Sequence, residues 1–233
     1  MIAGLQKMTL LDFPGKVACT VFLAGCNYRC PFCHNAELFD GKPEAVMSTD
    51  AFLQFLKKRQ GLLEGVCVSG GEPTGDPHLE QLLTHVKALG FAVKLDTNGS
   101  RPAVLKTLLE KGLVDYVAVD AKNSPEKYPQ TVGCQCDVSA VEESLRLLIG
   151  GNTPYELRTT LVDQLHDEAS IEAMGQWLAG LVPGKKPEKL FLQSFVDRET
   201  VAYSGLCAPE ENAVSRYADI LTSYIKTVTI RNI

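Results

Sequence analysis

Cys26, Cys30 and Cys33 fall within eight residues of one another, in the run Cys26-Asn27-Tyr28-Arg29-Cys30-Pro31-Phe32-Cys33-His34-Asn35. Thiolates are soft ligands and suit iron–sulfur chemistry better than a hard cation such as magnesium. Four of them would complete a tetrahedral zinc or iron site, whereas three on one tight loop leave a position that something else must fill. C-x3-C-x2-C spacing lets the loop curl so that three sulfurs face one small object. A [4Fe–4S] cube with three protein-held irons and one open iron fits that description. Structural zinc would need a fourth ligand, for which His34 is the candidate. Adjacent Cys33 and His34 are badly placed to bind one ion, and the run lacks the paired spacing of zinc modules. Disulfide pairing would leave one of the three over. The open cluster is the favoured reading, and zinc is the alternative.

Other candidate groups follow short apolar runs. Residues 65–68 read as a buried strand leading straight into Ser69-Gly70-Gly71-Glu72-Pro73. Paired glycines at a strand end let the backbone approach a ligand closely, and Glu72 sets a carboxylate where an ammonium could be held. Taken alone, this segment is equally a turn with a stray acid. The strand at 91–95 ends in Asp96-Thr97-Asn98-Gly99, and the strand at 116–119 ends in Asp120-Ala121-Lys122. Acids at the C-terminal ends of consecutive parallel strands converge on one face, where barrel active sites are built. Each acid could equally cap the next helix.

The surrounding pattern supplies the elements that hold these groups. Residues 1–14 read as a short strand or hairpin, and 17–24 as the first barrel strand. Ser48 caps a helix reaching about residue 60. Helices follow at 76–89, with Leu79, Leu82, Leu83 and Val86 on one face, and at 102–111. Residues 123–137 read as a polar loop, followed by a helix at 139–148, a strand at 155–162 and a helix at 168–181. A strand at 190–193, a helix at 209–226 and an added strand at 228–230 complete the chain. Cys19 and Cys67 read as small buried hydrophobes. Cys134 and Cys136 form a C-x-C pair, which suits a second cluster or a thiol switch but reads more simply as two incidental cysteines. His78, His85 and His166 read as surface or cap residues.

C-x3-C-x-aromatic-C, with Phe32 in the aromatic slot, resembles the signature of the radical S-adenosylmethionine (radical SAM) superfamily. The lead-in Leu11-Asp12-Phe13-Pro14-Gly15 and the continuation His34-Asn35 resemble the glycyl-radical-enzyme activases, most of all the anaerobic ribonucleoside-triphosphate reductase activating proteins. The resemblance is dense over residues 8–35 and returns as short motifs to about residue 200. It implies an open iron that chelates the amino and carboxylate groups of SAM. It also implies a reduced cluster that delivers one electron and cleaves SAM to methionine and a 5′-deoxyadenosyl radical. Gly70, Gly71 and Glu72, with Pro73, resemble the motif that binds the SAM amino group. Lys122 matches a lysine that salt-bridges the SAM carboxylate. Asp96, Thr97 and Asp120 match residues beside a monovalent cation near the methionyl part. Phe32, Asn35, Asn98, Arg158 and Gln193 are further SAM-side residues on the same resemblance. Gln193 and Ser194 stand where some relatives place a histidine against ribose or adenine. Lys16 follows the Pro-Gly where activases often carry a basic residue.

The chain has 233 residues, eight cysteines and a formal net charge of −5. That length suits one α/β domain over residues 1–233, with a core at about 17–200 and a C-terminal helix and strand at about 209–231. The negative charge argues against broad nucleic-acid binding. No apolar run reaches membrane-spanning length, and no basic-then-apolar signal sequence opens the chain. Eight cysteines used this way point to metal chemistry in the cytoplasm rather than to a disulfide framework. Strand–helix alternation through about six units predicts an α/β fold with a parallel sheet. Six units are too few for eight-fold closure, so an open (β/α)6 partial TIM barrel of the radical SAM type is expected. The expected function is a radical SAM activase that makes a glycyl radical on a partner enzyme. Anaerobic ribonucleotide reductase is the first candidate partner and a pyruvate formate-lyase-like enzyme the second, with a flavodoxin- or ferredoxin-type electron donor. The alternatives are a small-molecule radical SAM enzyme such as a deazapurine synthase, and a zinc-stabilised binding module.

Overall fold

The computed structural model describes residues 1–39, 45–201 and 203–231. Eight strands lie in one sheet in chain order: β1 (Ile2–Thr9), β2 (Ala18–Leu23), β3 (Gly65–Gly70), β4 (Ala92–Thr97), β5 (Tyr116–Asp120), β6 (Tyr155–Leu161), β7 (Lys189–Ser194) and β8 (Thr227–Arg231). Among the described residues, seven α-helices accompany them: α1 (Thr49–Lys57), α2 (Leu79–Ala88), α3 (Pro102–Glu110), α4 (Tyr128–Val132), α5 (Val138–Gly150), α6 (Glu168–Gly180) and α7 (Glu211–Thr222). Strands β2 to β7 are the six β/α units expected from the sequence, in an open sheet. Among the described residues, no helix is long and apolar enough to cross a membrane.

The chain divides into two compact units. The first comprises 1–27, 37–97 and 103–118. In it β1 runs antiparallel to β2, while β2–β3 and β3–β4 are parallel. Val66, Val68, Val93 and Leu95 are wholly buried, as a strand with helices over one face requires. Ser48 caps α1, its Oγ accepting from the Ala51 N–H at 3.2 Å. The predicted apolar face of α2 is buried, although the helix begins at Leu79 and not at Asp76. Asp76 instead receives the N-terminal ammonium at 2.5 Å and the His78 N–H at 2.8 Å.

The second unit comprises 28–36, 98–102 and 119–233, with β6–β7 and β7–β8 parallel. Asp137 caps α5, and a reciprocal pair of Asp167 and Ser170 caps α6. Such caps satisfy the orphan N–H groups of a helix's first turn.

The strand or hairpin expected at residues 1–14 is present: β1 pairs antiparallel along β2 from Ile2 opposite Leu23 to Thr9 opposite Ala18. One expectation is corrected. Residues 123–137 are not loop throughout: α4 forms there, with Pro129 in its first turn, buried Tyr128, Thr131 and Val132, and Gly133 closing it at φ +68°. Its five residues are too few to show helical periodicity in a sequence.

Candidate active site

In the first unit the Gly70-Gly71-Glu72 segment is strapped to the backbone just before Cys26. The Gly71 N–H donates to Leu23 O at 2.9 Å and the Glu72 N–H to Gly25 O at 2.7 Å. A Cβ on Gly70, which has φ +123°, would fall 2.2 Å from Leu23 O, and one on Gly71 would fall 2.2 Å from Gly25 O. Only glycine fits this approach.

Glu72 is 2% exposed. Its Oε1 accepts from the Thr74 N–H (3.0 Å), Thr74 Oγ1 (2.5 Å) and Thr97 Oγ1 (2.7 Å). These are neutral donors, which steady a carboxylate without bringing positive charge to it. The structure thus joins Glu72 and Thr97, placed by the sequence in separate motifs. Pro73 opens the short 3-10 turn that Glu72 caps. Asp96 is met by the ammonium of Lys94, another side chain only 2% exposed. Lys94 Nζ also lies 3.9 Å from Cys67 Sγ.

In the second unit, the cysteine-loop residues Tyr28 to Ala36 lean on α4. The Arg29 N–H donates to Val132 O at 2.8 Å, and a Cβ on Gly133 would fall 2.2 Å from Arg29 O. Cys30 is 6% exposed, and the Cys33 N–H donates to Cys30 O at 3.1 Å. Burial pushes the Cys30 thiol up to about 11, against the pull of the Lys122 ammonium. A coordinated metal removes such a proton outright, so a buried thiol beside a lysine fits a soft iron ligand.

Lys122 Nζ lies 3.0 Å from Asp120 Oδ2 and 5.7 Å from the centre of the Phe32 ring. Arg158 Nε lies 3.2 Å from Asp120 Oδ1. Burial alone would lower the Lys122 pKa, but Asp120, with Cys30 and Tyr128, holds it well above lysine's ordinary value. Asp120 thus faces two cations.

The corner is braced by residues that the sequence did not single out. Tyr128 OH donates to Asp120 O at 3.2 Å. Asn123 Nδ2 donates to Thr131 Oγ1 at 3.0 Å and to Leu165 O at 2.9 Å. His166, expected as a surface or cap residue, is 3% exposed. Its Nε2 meets Lys122 O at 2.9 Å, and its Nδ1 lies 3.1 Å from both the Val162 N–H and Val162 O. Nε2–H is the tautomer that donates to Lys122 O and accepts the Val162 N–H. Burial lowers the His166 pKa, and the bonds to Lys122 and Val162 offset part of that.

The remaining predicted residues are placed as follows. Asn98 is buried and its Oδ1 accepts the Ser100 N–H at 2.9 Å, shaping the turn into α3. Asn35 is half-buried in the turn ahead of Ala36–Leu38. Gln193 lies on β7, in register with Thr160 and Arg231. His34 stacks on Phe195 at 5.9 Å and its Nε2 meets Val196 O at 2.7 Å, so that ring nitrogen is already engaged by protein. Among the described residues, no group of three or more His, Cys, Asp and Glu is arranged to hold a single metal ion. A cube holds its thiolates on separate irons, so they need not converge on one point.

The family description "Radical SAM superfamily" matches residues 20–173, more than half of the chain. A Methanocaldococcus jannaschii protein named for glycyl-radical enzyme activation is 30% identical, over 100% of this chain and 96% of its own length. The 7-carboxy-7-deazaguanine synthase of Hyperthermus butylicus is 34% identical but matches over 50% of this chain and 48% of its own. Among solved structures, a domain of a pyruvate-formate lyase-activating enzyme from Bacteroides vulgatus shares the fold. Its TM-score is 0.59 at 24% identity, over 72% of this chain and 98% of that one. The chain therefore belongs to the radical SAM superfamily, enzymes that work with a [4Fe–4S] cluster and S-adenosylmethionine, and within it to the glycyl-radical enzyme activating enzymes.

Proposed function

We propose that this enzyme holds its cluster on Cys26, Cys30 and Cys33, reductively cleaves SAM, and takes a hydrogen atom from a backbone glycine of a partner enzyme. One observation carries the assignment of ligand ends: Glu72 is steadied by neutral donors, whereas Asp120 is faced by the two cations Lys122 and Arg158. An α-amino acid terminus carries one charge of each sign, and the two settings match them separately. Glu72 receives the ammonium, with Gly70, Gly71 and Pro73 giving the backbone its close approach. Lys122 receives the carboxylate and Arg158 shares the neutralisation of Asp120. Phe32 flanks the Lys122 ammonium, and Asn35, Asn98 and Gln193 complete the SAM side. When bound, the cluster supplies one electron to SAM and so yields methionine and a 5′-deoxyadenosyl radical. What the protein supplies is orientation, since a radical is useful only toward the hydrogen it is aimed at.

The partner is a glycyl radical enzyme, with anaerobic ribonucleotide reductase the first candidate and a pyruvate formate-lyase-like enzyme the second. A flavodoxin- or ferredoxin-type protein supplies the electron, and the compartment is the cytoplasm. Neither nucleic acid nor membrane takes part. Full-length similarity to the M. jannaschii protein favours an activase over the deazapurine alternative, whose match covers half the chain.

The test is anaerobic reconstitution with iron and sulfide, then dithionite and SAM, with product analysis and electron paramagnetic resonance on each candidate partner. Formation of 5′-deoxyadenosine, lost in Cys30→Ala, and a glycyl doublet on one partner are the expected results. Bound zinc without iron or sulfide overturns the reading.

A further inference from the structure

Cys134 and Cys136 have no part in the roles above. They lie in the second unit, on the short connection from α4 to α5. Both are half-buried, while Gln135 between them is exposed, so the two thiols turn to the same side of the connection. That connection runs against the cysteine loop. The Arg29 N–H donates to Val132 O at 2.8 Å, and Arg29 O lies 2.2 Å from where a Cβ on Gly133 would fall. Residues 132–134 therefore pass beside 29–30 in the same direction, and Cys134 follows Gly133 as Cys30 follows Arg29. Backbone segments joined by such bonds lie about 5 Å apart, inside the Cα separation that a disulfide spans. Burial is the main cause that raises the Cys30 pKa, and the nearby charge of Cys134 adds to it, in keeping with that spacing. Among the described residues, no further His, Cys, Asp or Glu joins the pair to hold a metal ion. What the pair offers is thiol chemistry.

We propose that Cys134 is a modification site: in cluster-free protein exposed to a peroxide, its thiol and that of Cys30 close a reversible disulfide. Two S–H bonds break and one S–S bond forms. The two electrons and two protons released reduce one hydrogen peroxide to two waters, and a dithiol reductant reverses the step at the protein. The bond holds Cys30 at the disulfide level, short of the sulfinic and sulfonic acids that thiol reductants do not reverse. Reduction then returns Cys30 as a thiol, ready for iron and sulfide. That benefit rests on Cys30 being a cluster ligand, as proposed above, whereas the disulfide depends only on the contact between the two segments.

The test treats cluster-free protein, reduced and freed of reductant, with hydrogen peroxide. The protein is then alkylated and digested without reduction, and linked peptides are read by mass spectrometry. A peptide pair joining Cys30 to Cys134 is expected as the main product of Cys30, absent after dithiothreitol and far weaker in protein unfolded before the peroxide. Cys134→Ser, kept reduced, should take up iron and sulfide as wild type does. After peroxide and then dithiothreitol, wild type should regain most of its iron uptake. Cys134→Ser should regain less than about half, with Cys30 recovered as sulfinic or sulfonic acid. Cys136→Ser should follow wild type. A main product joining Cys134 to Cys136, or Cys30 to Cys26 or Cys33, overturns the proposal. So does a pairing no different in unfolded protein, or a Cys134→Ser that recovers as fully as wild type. The wild-type peptide map decides the matter even where a variant does not fold. Wild type that binds zinc and never takes up iron and sulfide overturns the cluster reading instead, and the map still judges Cys134.

Discussion

The two units treat their strand-end acids in opposite ways. Glu72, in the first unit, is buried among one backbone N–H and two hydroxyls. Those donors fix its direction and leave a carboxylate suited to a cationic ligand. Asp120, in the second unit, is clasped by Lys122 at 3.0 Å and Arg158 at 3.2 Å. It serves as a mount for two cations. Asp96 follows the second pattern within the first unit, with Lys94 as its cation. An acid at a strand end is therefore not one kind of residue. Its donors decide whether it recruits a ligand or organises a lysine.

Exchanging charge for shape at each acid sharpens this contrast. Glu72→Gln keeps an oxygen able to accept from Thr74 and Thr97 while removing the charge. It should lower kcat/KM for 5′-deoxyadenosine formation by about 100-fold, the worth of a charge-assisted hydrogen bond in a dry setting, with little change in melting temperature. An unchanged KM for SAM would remove Glu72 from ammonium binding. Lys122→Met should raise the KM for SAM by about tenfold, a smaller effect because Arg158 still faces Asp120. If both variants lost activity in equal measure through kcat alone, the division into ammonium and carboxylate ends would fail. Gly133→Ala places a Cβ 2.2 Å from Arg29 O at φ +68°, which should cost about 3 kcal/mol of stability. Iron retention should fall with it, since α4 and the cluster loop are joined at that carbonyl.

Much of this was legible in the sequence because the informative residues are consecutive. The cysteine loop, Gly70-Gly71-Glu72, Asp96-Thr97 and Asp120-Ala121-Lys122 each announce a strand end followed by chemistry, and the structure puts each at such a position. What stayed hidden depends on contacts between segments far apart in the chain. Lys94 looks like a stray charge in an apolar strand until its register with Cys67 and its ion pair with Asp96 are seen. A lysine between two apolar neighbours at alternating positions was the available signal, since such a side chain must point to the face its neighbours avoid. Tyr128 lay inside a segment read as loop, and its hydroxyl finds Asp120 O across eight residues. Thr97 looked like a partner for a cation, whereas its hydroxyl also spans 25 residues to orient Glu72. His166 carried no partner spacing because one of its partners is a main-chain carbonyl 44 residues away.

His166 yields the smallest effect and the one most specific to the second corner. Its Nε2 faces Lys122 O and its Nδ1 faces both the Val162 N–H and Val162 O, and accepting the Val162 N–H is what needs neutral imidazole. Burial sets its folded-state pKa below the ordinary 6.5. An unfolded chain lets the same ring take a proton at the ordinary value, so between the two values the unfolded state binds more protons. The contribution of His166 is then fully present above the unfolded value and is lost as pH falls through it toward the folded one. The chain carries three other histidines, so the quantity to measure is the difference between wild type and His166→Gln. At pH 8 the variant should cost about 1 kcal/mol, one hydrogen bond's worth. On acidification wild type should lose melting temperature faster than His166→Gln, and the two curves should converge. The KM for SAM should rise with acid in wild type more than in the variant, because the protonated ring keeps its donation to Lys122 O while Nδ1 exchanges the Val162 N–H for Val162 O. Parallel melting curves would show that the ring beside Lys122 is packing alone.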